Sequence, residues 1–308
     1  MANNNYVHSG NLYARKKLLD CIRSFFDERD YLEVDTPLAV RAPALEDYIE
    51  APSVGERYLR TSPELHMKRL LGTGLEGIYQ LGPCFRQGEM GKRHLPEFTM
   101  LEWYRTGADC YGILEETVEL LNYCAAGLGK SGEIVYQAKN VSLSEEWETM
   151  TVDQAFSRFA HTGESVDELL KNGKFEITLT EKVEPCLGQT RPTVLCNFPA
   201  SLSSLARQCP DNPERVERWE LFIAGMEIAN AYTELTDYRE QLRRFQATRE
   251  LRKAAGRKIY PNDNEYLQLL KRNDLPECGG IALGVDRLLM LLTDAPTIQQ
   301  VVPFATEM

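Results

Sequence analysis

The chain has 308 residues, 43% hydrophobic and 26% charged, the balance of a soluble globular protein able to bury a sizeable core. Its net charge of −11 argues against broad nucleic-acid binding, and no apolar run reaches the roughly 18 residues of a membrane span. Eight cysteines without a C-x-x-C pair carry no zinc or redox signature, and the polar start MANNNYVHSG lacks a signal-peptide core, which predicts a cytoplasmic protein.

Residues 11–30 place Tyr13, Leu18, Leu19, Ile22, Phe25 and Phe26 at helical spacing and predict an amphipathic helix. Residues 32–35 predict a short strand closed by Thr36-Pro37. A helix is expected from Ser62 to Gly72, with Ser62 as its N-cap, Pro63 at the first helical position and Gly72 at the C-terminal cap. Glu64 in its first turn either complements the helix dipole or serves as a ligand. Gly72-Thr73-Gly74-Leu75-Glu76-Gly77 fits G-x-G-x-x-G but follows a helix and precedes a strand, the reverse of a dinucleotide site. Gly129-Lys130-Ser131 lacks the first glycine of a P-loop, where Cys124 stands.

Residues 85–104, FRQGEMGKRHLPEFTMLEWY, lie between and within two strand patterns, so an antiparallel hairpin with a long Gly- and Pro-bearing tip is predicted. Arg86 and Phe98 then sit on neighbouring strands, a donor fork suited to phosphate beside a face suited to a purine. Glu102 offers an acceptor for an ammonium group. Residues 111–128 predict a helix and 130–148 a polar connection, while 151–185 carry only short helical patterns and 193–198 a strand. In WELFIAGMEIANAYTELTD, Glu220, Glu227 and Glu234 recur at sevenfold spacing in an apolar run. A helix would make them a stripe; strands turning at Ala224-Gly225 are preferred, because Phe222, Ile223, Ile228 and Tyr232 favour sheet. Carboxylates in an apolar sheet are costly unless they meet a cation, either a divalent metal or substrate amines. Residues 239–256 predict a basic helix with a solvated face. GGIALGVDRLLMLL predicts a glycine-bearing strand feeding a helix, with Arg287 at the helix start able to hold phosphate oxygens.

These blocks together resemble the three signature motifs of class II aminoacyl-tRNA synthetases, in the lysyl branch. The helix and strand ending at Pro37 are similar to motif 1, FRQG…H-x-PEFTMLEWY to motif 2 and ALGVDR to motif 3; SPELHMKRLL and EIANAYTELTD are further specific matches. The resemblance covers most of the chain and is weakest at about 130–190. It implies an α+β fold, a six- or seven-stranded antiparallel sheet flanked by helices, and a homodimer through the motif 1 region. Full lysyl-tRNA synthetases carry an anticodon-binding barrel before motif 1, whereas here that helix starts within the first fifteen residues. The expectation is one catalytic domain over 1–308, with an insertion or excursion at about 140–200 and no such barrel. A stand-alone domain of this kind, with GEMGKRHLPEFTMLEWY and with Ala282 where lysyl synthetases have glycine, resembles the elongation factor P lysyltransferase family.

That resemblance implies activation of a lysine-type diamino acid, (R)-β-lysine, with ATP and Mg²⁺, and its transfer to a lysine of elongation factor P, without membrane or tRNA partners. Carried over by position, Arg86 and Arg287 are the catalytic residues. Arg86, His94, Phe98, Ile228, Gly284 and Arg287 hold ATP, and Glu220 and Glu227 hold Mg²⁺ and ATP. Ser62, Glu64, Glu102, Tyr104, Asn230, Tyr232, Glu234 and Ala282 line the amino-acid pocket. Two positions depart from the family's pattern: Gly88 stands where motif 2 has glutamate in Arg-x-Glu, and Leu95 where asparagine precedes Pro-Glu-Phe. A stand-alone enzyme activating L-lysine and a catalytically impaired paralogue are the alternative readings.

Overall fold

The computed structural model describes residues 8–305. Helix α1 (Ser9–Asp27) opens with the His8 ring accepting from the Gly10 amide and buries Leu18, Cys21, Ile22, Phe25 and Phe26. Tyr13, expected on that face, is exposed. Eight strands form the main sheet: β1 (Leu32–Glu33), β2 (Gly77–Phe85), β3 (Glu97–Thr106), β4 (Glu148–Thr151), β5 (Thr193–Cys196), β6 (Arg218–Ile223), β7 (Met226–Thr233) and β8 (Cys278–Gly284). Their spatial order is β1-β2-β3-β8-β7-β6-β5-β4. The sheet is thus wider than the six or seven strands expected. Its two edge pairs, β1–β2 and β4–β5, are parallel, while every pairing between them is antiparallel. Strands of two and four residues are too short for alternation to reveal.

The predicted hairpin is β2–β3, longer than expected, with Cys84 opposite Phe98 and Gln80 opposite Glu102. The second hairpin, β6–β7, turns at Ala224 (φ 53°) and Gly225 (φ 74°), the left-handed pair that suits the twist of the flanking strands. Between Leu221 and Phe222 the register shifts, so β7 carries one extra residue at Ile228. Around the sheet stand α2 (Glu64–Leu71), α3 (Cys110–Gly127), α4 (Val152–Phe159), α5 (Val166–Lys171), α6 (Phe175–Thr178), α7 (Tyr238–Ala254), α8 (Asn264–Lys271) and α9 (Val285–Thr293). Helix α2 is assigned from Glu64, one residue later than expected, although Ser62 Oγ still accepts from the Glu64 amide at 3.0 Å.

One face of the central strands faces the main core. Leu101, Trp103, Trp219, Leu221, Ala231, Ile281 and Leu283 pack there with residues of α1, α3 and α9. Each such side chain contributes roughly 1.5–3 kcal/mol. Trp103 and Trp219 are fully buried, and their indole N–H groups find acceptors in Glu116 (3.0 Å) and the Cys110 carbonyl (2.7 Å). Among the described helices none is long and apolar enough to cross a membrane.

Two expectations about the middle of the chain need correction. Residues 130–148 are not a plain connection, since Glu133–Tyr136 and Lys139–Ser142 pair as a hairpin. Its turn residues, Gln137 and Ala138, are left-handed (φ 49° and 62°) without the Asn or Gly that would mark them. The excursion from the sheet is shorter than 140–200, because β4 and β5 bracket it and belong to the sheet. Between them α4, α5 and α6 pack around Phe156, Leu169 and Phe175, with capping boxes at Thr151/Gln154 and Ser165/Glu168.

Helix α7 is not simply a solvated basic face, for Arg244 and Arg252 are buried. Arg252 donates to the carbonyls of Lys258 (2.7 Å), Glu46 (2.7 Å) and Ile49 (2.9 Å) and to Glu50 Oε1 (2.8 Å). It thereby pins a loop that otherwise has little regular structure. Arg252→Leu leaves those acceptors unpaired and is expected to cost about 3–5 kcal/mol, read as a lowered midpoint in urea unfolding.

Candidate active site

The face of the sheet opposite the main core is polar, and it forms the floor of a cleft of about 350 Å³. Strand alternation puts Phe98, Met100, Glu102 and Tyr104 of β3 on that side. Register then aligns two rows across the sheet. Glu220, Asn230, Ala282 and Glu102 lie opposite one another in succession, and so do Arg218, Tyr232, Gly280 and Tyr104. The extra residue in β7 lets both Glu227 and Ile228 reach the cleft. Every site residue expected from the sequence lines it: Ser62, Glu64, Arg86, His94, Phe98, Glu102, Tyr104, Glu220, Glu227, Ile228, Asn230, Tyr232, Glu234, Ala282, Gly284 and Arg287.

One end of the cleft is rich in carboxyl groups. Glu102 accepts from Ser62 Oγ (2.7 Å) and Tyr104 OH (3.0 Å) and is 1% exposed. Burial, then the neighbouring Glu64 charge, pushes its pKa up to about 8. Glu64 and Glu234 each lie 2.5 Å from the fully buried Lys68 Nζ. Burial works against the Lys68 charge, but Glu234 and Glu64 outweigh it and hold the ammonium protonated. Lys68 engages Glu234 Oε2, while the buried Oε1 has no hydrogen-bond partner. Burial, opposed by Lys68, raises its pKa. A Cβ on Gly280 would come within 2.4 Å of Glu234 Oε1 and 2.2 Å of Tyr104 Cε1, so only glycine fits beside them. Three carboxyl groups share one resident ammonium, so all three can ionise together only when a further cation is present.

The other end holds the arginines. The Arg86 guanidinium sits 5.2 Å from the Phe98 ring centre, its buried Nε without a partner. Arg287 donates to the Glu227 carbonyl (2.9 Å), Glu227 Oε2 (3.2 Å) and the Arg93 carbonyl (3.2 Å), and it contacts His94. Burial and the Arg287 charge depress the His94 pKa, so this imidazole is neutral at pH 7. Arg93 Nη1 donates to the Gly225 carbonyl at 2.7 Å, tying the tip of the β2–β3 hairpin to the β6–β7 turn. The Arg218 fork joins Glu220 (2.5 Å) to Asn230 Oδ1 (3.2 Å) and packs 4.4 Å from the Phe198 ring centre.

Glu220 is pushed up to about 8 by burial, offset by Arg218 and reinforced by Glu227. Glu220 thus keeps its proton near neutral pH until a further cation joins Arg218 beside it. Among the described residues no group of three or more His, Cys, Asp or Glu side chains is arranged to hold a metal. Mg²⁺ usually needs only one or two carboxylates together with phosphate oxygens, so Glu220 and Glu227 fit it when phosphates are present.

The two departures from the family pattern have local causes. Gly88 sits at φ 83°, a turn conformation that disfavours glutamate, and this turn leaves Glu89 lining the cleft 3.7 Å from Arg86. Leu95 is 1% exposed and packs into the main core. Sequence reasoning missed Lys68, Arg218, Gly280 and Glu46. The first two had a signal, since Lys68 lies four residues after Glu64 on one helix and Arg218 two before Glu220 on one strand. Glu46, half-buried near Arg86 and raised to about 7 by desolvation, comes from an irregular loop and had none.

The family model described as tRNA synthetases class II (D, K and N) matches residues 2–308. The chain is 38% identical over 319 residues to an elongation factor P–(R)-β-lysine ligase from Klebsiella pneumoniae, covering 96% of this chain and 95% of that protein. A protein of the same name from Proteus mirabilis is 39% identical over 316 residues, covering 96% and 94%. One from Photorhabdus laumondii is 38% identical over 313 residues, with the same coverages of 96% and 94%.

Two outcomes follow from this geometry. Folded Glu102 and Glu220 hold protons from pH 4.5 up to about 8, where unfolded glutamates do not. Their stabilisation is complete below the unfolded value and is lost as pH rises through the folded one, by up to about 1.4 kcal/mol per pH unit and group. Urea midpoints should therefore fall between pH 6 and pH 8.5, and Glu102→Gln should flatten the slope. Gly280→Ala, which intrudes on Tyr104 and Glu234, should weaken amino-acid binding by roughly tenfold or more while the ATP affinity stays the same.

Proposed function

The chain belongs to the class II tRNA synthetase family of the D, K and N type, and we propose that it activates (R)-β-lysine and transfers it to a lysine of elongation factor P. Family membership implies ATP as the energy source. The observation that carries the substrate assignment is the carboxyl-rich end of the cleft. There, Glu234 Oε1 lies buried without a hydrogen-bond partner, beside Glu64 and Glu102. An ammonium group of a diamino acid supplies the missing donors, and ligand binding would drive these raised carboxyls to ionise. The relatives' names supply the β-lysine and the acceptor protein.

On this reading Phe98 stacks on adenine and Arg287 covers its other face, while Arg86 holds the α-phosphate and neutral His94 donates to the distal phosphates. Glu220 and Glu227 hold Mg²⁺, which supplies charge neutralisation to the phosphates when bound. The amino-acid carboxylate oxygen attacks the α-phosphorus and pyrophosphate leaves, giving the aminoacyl-adenylate. The deprotonated amine of the acceptor lysine then attacks the carbonyl carbon and AMP leaves, forming an amide. No protein nucleophile is required, so the residues work by positioning and by matching charge. Ala282, between Asn230 and Glu102 in the register, puts a methyl on the pocket floor and is the proposed discriminator between β- and α-lysine.

The same reading makes residues 1–308 one catalytic domain and the protein a cytoplasmic homodimer. Leu32 on edge strand β1 and the nearby Leu38 are exposed, in keeping with a partner on the motif 1 side.

ATP–pyrophosphate exchange tests the assignment with (R)-β-lysine, L-lysine and no amino acid. Exchange strongest with β-lysine is expected, with a loss of about a hundredfold or more in Arg86→Ala. Exchange with L-lysine alone would replace the substrate, and ATP binding without exchange would remove the activity.

A further inference from the structure

We infer that Arg15, on α1 and outside the cleft, is a positioning residue that locks the Phe98 and Arg287 segments together for nucleotide binding. Its guanidinium bridges them directly. Arg15 Nη1 donates to Asp286 Oδ1 at 2.5 Å, and Nη2 donates to Thr99 Oγ1 at 2.6 Å. The triangle closes with the Thr99 amide donating to Asp286 Oδ2 at 2.7 Å.

Thr99 follows Phe98 on β3, and Asp286 precedes Arg287 in the first turn of α9. Both partners are thus one peptide away from a residue assigned to the nucleotide. The Asp286 side chain is 2% exposed and that of Arg15 17%, so water replaces these contacts poorly. Asp286 fixes the start of α9 only while both its oxygens are engaged. Without Arg15, the Thr99 amide and the helix dipole still hold one side of that carboxylate, and the strand and helix can shift against each other. A displacement on the order of 1 Å at such a pair is enough to spoil phosphate and adenine contacts made at its ends.

This inference rests on the assignment of Phe98 and Arg287 to ATP. The test is calorimetric titration of ATP into the full chain and its variants, together with separate KM values for ATP and amino acid in the exchange assay. Arg15→Met is expected to weaken ATP binding by roughly tenfold to a hundredfold, with the amino-acid KM within about twofold of wild type. Arg15→Lys keeps the charge on Asp286 but cannot also reach Thr99, and should fall between. Thr99→Val, which keeps the amide donor, should show a smaller loss in the same direction.

Variants that unfold at lower temperature yet bind ATP as tightly as wild type would overturn the positioning role, as would equal rises in both KM values. If Arg15→Met does not fold, Arg15→Lys and Thr99→Val decide the question alone. Wild-type protein that binds ATP but gives no exchange would end the proposed activity while leaving the comparison of ATP affinities intact.

Discussion

The twofold alternation of β3, β6, β7 and β8 governs the rest of the molecule. One side of these strands must fill the core with Trp103, Trp219, Leu101 and Leu283, and the other must present Glu102, Glu220, Asn230 and Tyr232 to the cleft. A one-residue slip in any of them would exchange the two sets. Tryptophans buried to completion and carboxylates buried almost as deeply therefore guard the same register from opposite sides. The apolar face stabilises the arrangement; the polar face on its own opposes it.

That opposition is concentrated where charges sit together. Glu64, Glu102 and Glu234 surround one ammonium, from Lys68, and Glu220 meets Arg218 with Glu227 close behind. Buried carboxyls with raised pKa values are half-prepared for either state, protonated while the cleft is free and ionised when a cation arrives. On the proposed function, stability given up at these positions would favour a cationic ligand, since a neutral one could not satisfy the same oxygens. The arginine end works with the opposite sign. Arg86 and Arg287 are held beside carboxylates that can yield to phosphate without moving the guanidinium groups far.

Much of this was readable from residue order. The β2–β3 and β6–β7 hairpins followed from alternation and from Ala224-Gly225, and the residues chosen for the cleft all face it. What stayed hidden has physical reasons. The hairpin over 133–142 turns on Gln137-Ala138, which carry no turn signal, and β1 and β4 are too short to show a period. The burial of Arg252 depends on carbonyls two hundred residues earlier, which no local pattern encodes. The surroundings of Gly88 and Leu95 stayed hidden because residue type at a motif position says nothing of backbone angle, nor that Leu95 lines the cleft and packs into the core at once. Lys68 received no role from the sequence, although Glu64 one turn earlier was its partner.

The place of β8 in the sheet has a consequence for how the molecule comes into being. Cys278–Gly284 lies between β3 and β7 in the sheet, yet it follows every other strand of that sheet along the chain. Until it inserts, the nascent chain holds two half-sheets, β1-β2-β3 and β7-β6-β5-β4, each with an unpaired central edge. Pairing across such sequence distance is slow, and open edges of this kind invite association with other chains. Arg287 follows directly on β8, so the cleft gains this arginine only as the sheet closes. A chain in which β8 has not inserted is consequently both unable to assemble the cleft and prone to aggregate, which makes that insertion the step that commits the chain to one fold.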